Sequence, residues 1–247
     1  MTIKATYFNG KSFEYKLNNN IMRGTGEYSY NKIKILNCSN NELHELPLLP
    51  SLLQKLYCSY NELTSLPDNL PSSLKILCCS NNKLSSLADL PSSIQKLNCA
   101  NNNLSSLPEL PSSIQELYCA NNNLSSLPEL PLTMKKLYCN DNKLMSLPEN
   151  MPSSIEILCC DDNELMSLPD NLPSSLKILD CGGNKLTSLP DNLPPLLQRL
   201  NCYDNKLTSL PVSLLQLKHL INFDYIGNQI EYTPPNITLW LDEIITN

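Results

Sequence analysis

Glycine is scarce in this sequence, with six residues in 247, while proline numbers 19. Glycine permits left-handed and tightly turned backbone and proline fixes φ, so the imbalance predicts a chain held extended. Three Phe and one Trp are few for an ordinary core, which leaves leucine and isoleucine to supply the burial. No apolar run approaches about eighteen residues, so no membrane-spanning helix is predicted. The opening MTIKATYFNG lacks the apolar core of a secretion signal. Together these absences predict an intracellular, cytoplasmic protein with no membrane partner.

Cysteine, by contrast, is plentiful, and its placement is regular. Nine of the eleven cysteines recur once per repeat, at Cys38, Cys58, Cys79, Cys99, Cys119, Cys139, Cys160, Cys181 and Cys202. Cys78 and Cys159 stand one position before that row. An odd total without a signal peptide fits reduced thiols.

The repeat itself is plain in two windows. Ile94–Ser113 and Ile114–Thr133 agree at 16 of 20 positions without a gap. From residue 33 the pattern L-x-x-L-x-C-x-x-N-x-L-x-x-L-P recurs ten times, starting at Ile33, Leu53, Leu74, Ile94, Ile114, Met134, Ile155, Leu176, Leu197 and Leu220. A strand alternates its faces with a period of two, so the fourth and sixth positions point inward and the third, fifth and seventh outward. One repeat buries a single strip, and stacking completes the core. The rest of each repeat, LPDNLPSSL or LPELPSSI, carries two prolines and predicts an extended, polyproline-like return.

This is the leucine-rich-repeat pattern, and the resemblance covers residues 33–234. The short proline-rich repeats resemble bacterial effector repeats of the YopM and IpaH types, and the inward cysteine is similar to repeat proteins of giant DNA viruses. The resemblance implies a mostly β fold, a right-handed parallel β-solenoid in a horseshoe arc with extended convex returns. It also implies that Asn41, Asn61, Asn82, Asn102, Asn122, Asn142, Asn163, Asn184, Asn205 and Asn228 form a buried structural ladder. Residues 1–32 read as an N-terminal β cap, with a hairpin turn at Asn9-Gly10 and loops at 18–20 and 24–26. Residues 235–247 read as a C-terminal helical cap in which Asn236 caps the helix and Trp240 and Ile244 cover the last repeat.

Catalytic and metal chemistry find little support. Sulfurs in a line cannot converge on a tetrahedral zinc, and stacked parallel side chains sit too far apart for easy disulfides. The cysteine row therefore reads as small apolar filler. Cys78 and Cys159 face outward, but a catalytic thiol needs a base beside it, and only His44 and His219 are available. The ubiquitin-ligase activity of IpaH-type proteins belongs to a separate C-terminal domain, and the repeat pattern here is followed by about 13 residues. The expectation is no enzyme, no catalytic residue, no metal and no cofactor.

What remains is surface. The second and third positions of the first nine repeats hold eight basic residues, Lys34, Lys55, Lys75, Lys96, Lys135, Lys136, Lys177 and Arg199, against Glu116 and Glu156. Six aspartates at the fifth, seventh and eighth positions, Asp141, Asp161, Asp162, Asp180, Asp204 and Asp224, bring the whole face to neutrality. Nucleic acid needs an uncompensated basic footprint and is not an expected partner. A second acidic row, Asp68, Asp89, Glu109, Glu129, Glu149, Asp170 and Asp191, should stack on the returns. It reads first as a solvated ridge, and the sharper reading is weak Ca²⁺ binding between neighbours.

Aromatics set among mixed charge are what interface hot spots use. On the concave face that singles out Tyr57, Lys96, Glu116, Tyr118, Lys136, Tyr138, Ile157, Asp161 and Arg199 as a partner-binding set. The expected function is a non-enzymatic protein–protein interaction module. The alternative is an effector-like adaptor or scaffold that recruits host enzymes such as ubiquitin ligases or kinases in the host cytoplasm.

Overall fold

The structure, a computed structural model, describes residues 2–16 and 29–245. It divides the chain into two compact units, Met1–Asn123 and Leu124–Asn247. The loops expected at 18–20 and 24–26 lie outside the described residues.

The first unit opens with β1 (Thr2–Tyr7) and β2 (Ser12–Lys16), an antiparallel hairpin across Asn9-Gly10. Gly10 takes a φ of 83° there, which a side chain would resist. Strand β1 also pairs antiparallel with β3 (Ile33–Asn37), and from β3 onward the pairing is parallel. The strands β4 (Lys55–Tyr57), β5 (Ile76–Cys78), β6 (Lys96–Asn98) and β7 (Glu116–Tyr118) follow, each paired with the one before it. The register stacks Leu36, Leu56, Leu77, Leu97 and Leu117 in one line. All five are fully buried, as are the cysteines two residues after them.

The second unit repeats the plan with β8 (Lys136–Tyr138), β9 (Ile157–Cys159), β10 (Ile178–Asp180), β11 (Arg199–Asn201) and β12 (Asn222–Asp224), all parallel. Its inward line is Leu137, Leu158, Leu179, Leu200 and Phe223. The returns of both units are extended and turned, with carbonyls such as those of Pro71 and Pro173 accepting from the first residue of the next repeat. The longer return before β12 winds one 3-10 segment, Val212–Gln216. The chain is thus a mostly β parallel solenoid that ends in the short helix α1 (Pro235–Ile245).

The helix corrects one detail of the sequence reading. Pro235 is its first residue, so Asn236 lies inside the first turn and does not cap it. Proline suits that position because its missing N–H would be unpaired there in any case. Trp240 packs against Phe223, with ring centroids 5.8 Å apart. The side chain of Ile244 lies outside those described.

Each ladder asparagine reaches back to the repeat before it. Asn102 Nδ2 donates to the carbonyls of Cys79 and Cys99, and its Oδ1 accepts from Leu84 N–H. Asn61, Asn122, Asn163, Asn184, Asn205 and Asn228 make the same kind of clasp within their own units. Asn41, having no earlier repeat, holds the N–H and C=O of Thr2 on β1. Asn82 and Asn142 accept from Leu63 and Leu124 in the same way.

Candidate functional site

With the Leu, Cys and Asn rows turned inward, the outward rows form the strand face of each unit. In the first unit, β6 and β7 are in register, so Lys96 stands beside Glu116 and Asn98 beside Tyr118. Lys96 Nζ lies 2.9 Å from Glu116 Oε2 and 4.5 Å from the Tyr118 ring centroid. The Tyr118 hydroxyl donates to the same Oε2 at 3.1 Å. Burial pulls the Lys96 ammonium down, but its bonds to Glu116 and Tyr118 outweigh that and hold it above its ordinary value. Tyr57, on β4, is paired with Cys78 on β5 and is half-buried.

In the second unit the register sets Lys136 beside Ile157 and Tyr138 beside Cys159. Arg199 reaches Asp180 Oδ2 at 3.4 Å, and Asn201 donates to that oxygen at 3.0 Å. Asp161 is one of three neighbouring carboxylates. It converges with Asp141 and Asp162, whose carboxylate oxygens all lie within 4.8 Å of one another. The acids of the return ridge are exposed and form no such group among the described residues. Opposite the aspartates, the Tyr203 ring occupies the space a Cβ on Gly182 would need.

That crowding has an energetic consequence. Burial, and then the charge of Asp180, push the Asp161 carboxyl from its ordinary 3.8 up to about 6. The folded state therefore holds a proton that the unfolded chain has released between about pH 4 and 6. The penalty is complete above about pH 6 and fades as the pH falls toward 4. Two pH units correspond to about 3 kcal/mol, and the half-exposed setting screens this to about 1 kcal/mol. Asp161→Asn is expected to stabilise the protein by about that amount at pH 8 and to be neutral near pH 4, measured by urea unfolding at both values. A variant no more stable than the parent at pH 8 would refute the account.

The outward thiols are poor nucleophiles. Burial raises Cys78, and burial followed by Asp180 and Asp161 raises Cys159 to about 12. None of the eleven cysteines is in a disulfide, and Cys181 Sγ donates to the Asn201 carbonyl at 3.2 Å.

A feature missed in the sequence is the residue just before each ladder asparagine. Asn40, Tyr60, Asn81, Asn101, Asn121, Asp141, Asp162 and Asp204 have φ between 45° and 57°, and Gly183 and Gly227 share the position. Asparagine, aspartate and glycine tolerate left-handed backbone best, and that enrichment was the available signal.

The family model for the Leucine Rich Repeat matches residues 175–196. Among solved structures, YopM from Yersinia enterocolitica WA-314 is 29% identical with a TM-score of 0.55, over 87% of this chain and 59% of that one. The repeats are leucine-rich repeats. A Shigella effector LRR domain matches at 23% identity and TM-score 0.54, over 87% of this chain and 76% of that one. The functional domain of InlJ from Listeria monocytogenes, described as including a cysteine ladder, matches at 22% and 0.51, over 83% and 56%. These two show the fold alone. No curated protein matches the chain. This leucine-rich-repeat chain resembles bacterial effector repeats, and the fold is a protein-interaction scaffold. No described helix is long and apolar enough to cross a membrane.

Proposed function

We propose that the chain is a non-enzymatic protein-binding module that takes its partner on the strand face of the solenoid. The observation that carries this is the division of labour along each strand. Inward positions are committed to packing, whereas the outward ones hold half-buried tyrosines and charges at fixed spacing. A rigid surface of this kind binds without a large ordering cost. The raised Cys78 and Cys159 thiols favour binding over catalysis on this face. The effector-like adaptor is the second reading. It draws on the likeness to YopM and on the exposed acidic row of the returns, a separate surface for a recruited enzyme.

The test is affinity capture of partners by the intact chain and by a Tyr118→Ala, Tyr138→Ala variant. Both tyrosines are partly exposed, so the melting temperature should move by no more than about 2 °C. The captured partner should fall by at least about tenfold, as for hot-spot aromatics. Equal capture by the two forms would overturn the assignment.

A further inference from the structure

The neutrality of the strand face hides a division by unit. Across the five repeats that begin between Ile33 and Ile114, the outward positions hold Lys34, Lys55, Lys75 and Lys96 and a single acid, Glu116. That acid is engaged by Lys96 and Tyr118. Among the described residues, no carboxylate forms an ion pair with Lys34, Lys55 or Lys75. The same positions in the second unit carry seven acids against four bases. Charge is thus unevenly shared between the faces of the two units.

The three lysines are not a bare basic patch. Parallel register places Lys55 between Ile35 and Ile76, and Tyr57 between Asn37 and Cys78. Ile35, Tyr57 and Ile76 are half-buried on this face, so ammonium groups border an apolar strip. We infer that the strand face of residues 33–123 docks an acidic polypeptide segment of a protein partner, one with apolar side chains between its carboxylates. Lys34, Lys55 and Lys75 receive the carboxylates, and Ile35, Tyr57 and Ile76 receive the apolar groups. A phosphodiester backbone would gain nothing from the two isoleucines, which favours polypeptide over nucleic acid. The acidic face of the second unit repels the same segment, which adds selectivity. This inference rests on the protein-binding reading above and assigns the partner its chemistry.

The test uses the full chain and fluorescence anisotropy. The probes are a labelled peptide of about twenty residues with Glu alternating with Ala or Leu, its Lys counterpart, and single-stranded DNA of similar length. The acidic peptide should bind best and weaken between about 50 and 300 mM salt. Exposed ion pairs contribute up to about fivefold each, so Lys34→Gln, Lys55→Gln and Lys75→Gln together should weaken it about tenfold or more. The matched variant Lys135→Gln, Lys143→Gln and Lys177→Gln should change it by less than about twofold, with circular dichroism showing both folded. Failure of the acidic peptide to bind, or equal losses in both triple variants, would overturn the proposal. DNA binding as tightly through the same lysines would replace it with a nucleic-acid site. A captured partner lost in the tyrosine variant but kept in the first lysine variant would sink the acidic-segment proposal and leave the protein-binding reading standing.

Discussion

Asn102→Ala is expected to destabilise the protein by about 3 kcal/mol, far more than an ordinary surface substitution. Asn102 is 8% exposed and satisfies three groups that water does not reach easily: the carbonyls of Cys79 and Cys99 and the N–H of Leu84, at 3.1, 3.0 and 3.0 Å. Removing the amide strands the Leu84 N–H, at roughly 1–3 kcal/mol for a buried unsatisfied group, and takes one of two donors from each carbonyl, which keep Asn82 Nδ2 and Asn122 Nδ2, at about 0.5–1 kcal/mol for each lost bond. The adjacent Asn103 is exposed, so Asn103→Ala should cost less than about 0.5 kcal/mol. Equilibrium urea unfolding of the two variants makes the comparison. A loss below about 1 kcal/mol at Asn102 would mean that water replaces the amide, and the ladder would then be an ornament of the fold.

Leu179→Ala should cost about 3–4 kcal/mol, the sum of lost burial and an unfilled cavity. Leu179 is fully buried in the inward line between Leu158 and Leu200. Both neighbours are held by strand pairing, so the row has little freedom to collapse. Cys181→Ala in the same repeat removes one sulfur and should cost about 1 kcal/mol. Hydrogen exchange would show the Leu179 effect concentrated in the flanking repeats, because solenoid stability is carried by nearest neighbours. Protection lost uniformly along the chain would contradict that picture.

The inward rows were legible in the sequence because each carries one residue type: leucine at the fourth position, cysteine at the sixth and asparagine at the ninth. The left-handed column was not, since Asn81, Asp162, Gly183 and Tyr60 share a backbone conformation but no side-chain chemistry. A second set of bonds was also hidden in what read as return. Ser73, Ser93 and Ser113 donate to the carbonyls of Leu53, Leu74 and Ile94, the first residue of the same repeat in each case. The outward residues of the strand face were legible one by one, yet what each touches depends on register. Lys96 with Glu116, and Arg199 with Asp180, needed the strand pairing to be seen. Summing charge over the whole face erased a contrast that appears once the two units are considered apart. The convergence of Asp141, Asp161 and Asp162 escaped notice because the acids on the returns formed the more regular row.

The backward reach of the asparagine clasp has one more consequence. Within each unit the clasp joins a repeat to its predecessor through the same atoms, and in the first unit it closes on β1 through Asn41. No repeat therefore depends on its ordinal place in the line. The segment Ile94–Ser113 could be excised in frame, and Asn122 would find at Cys79 the carbonyl it now takes from Cys99. The length of the array is a quantity the fold leaves open, free to be set by how much surface a partner demands.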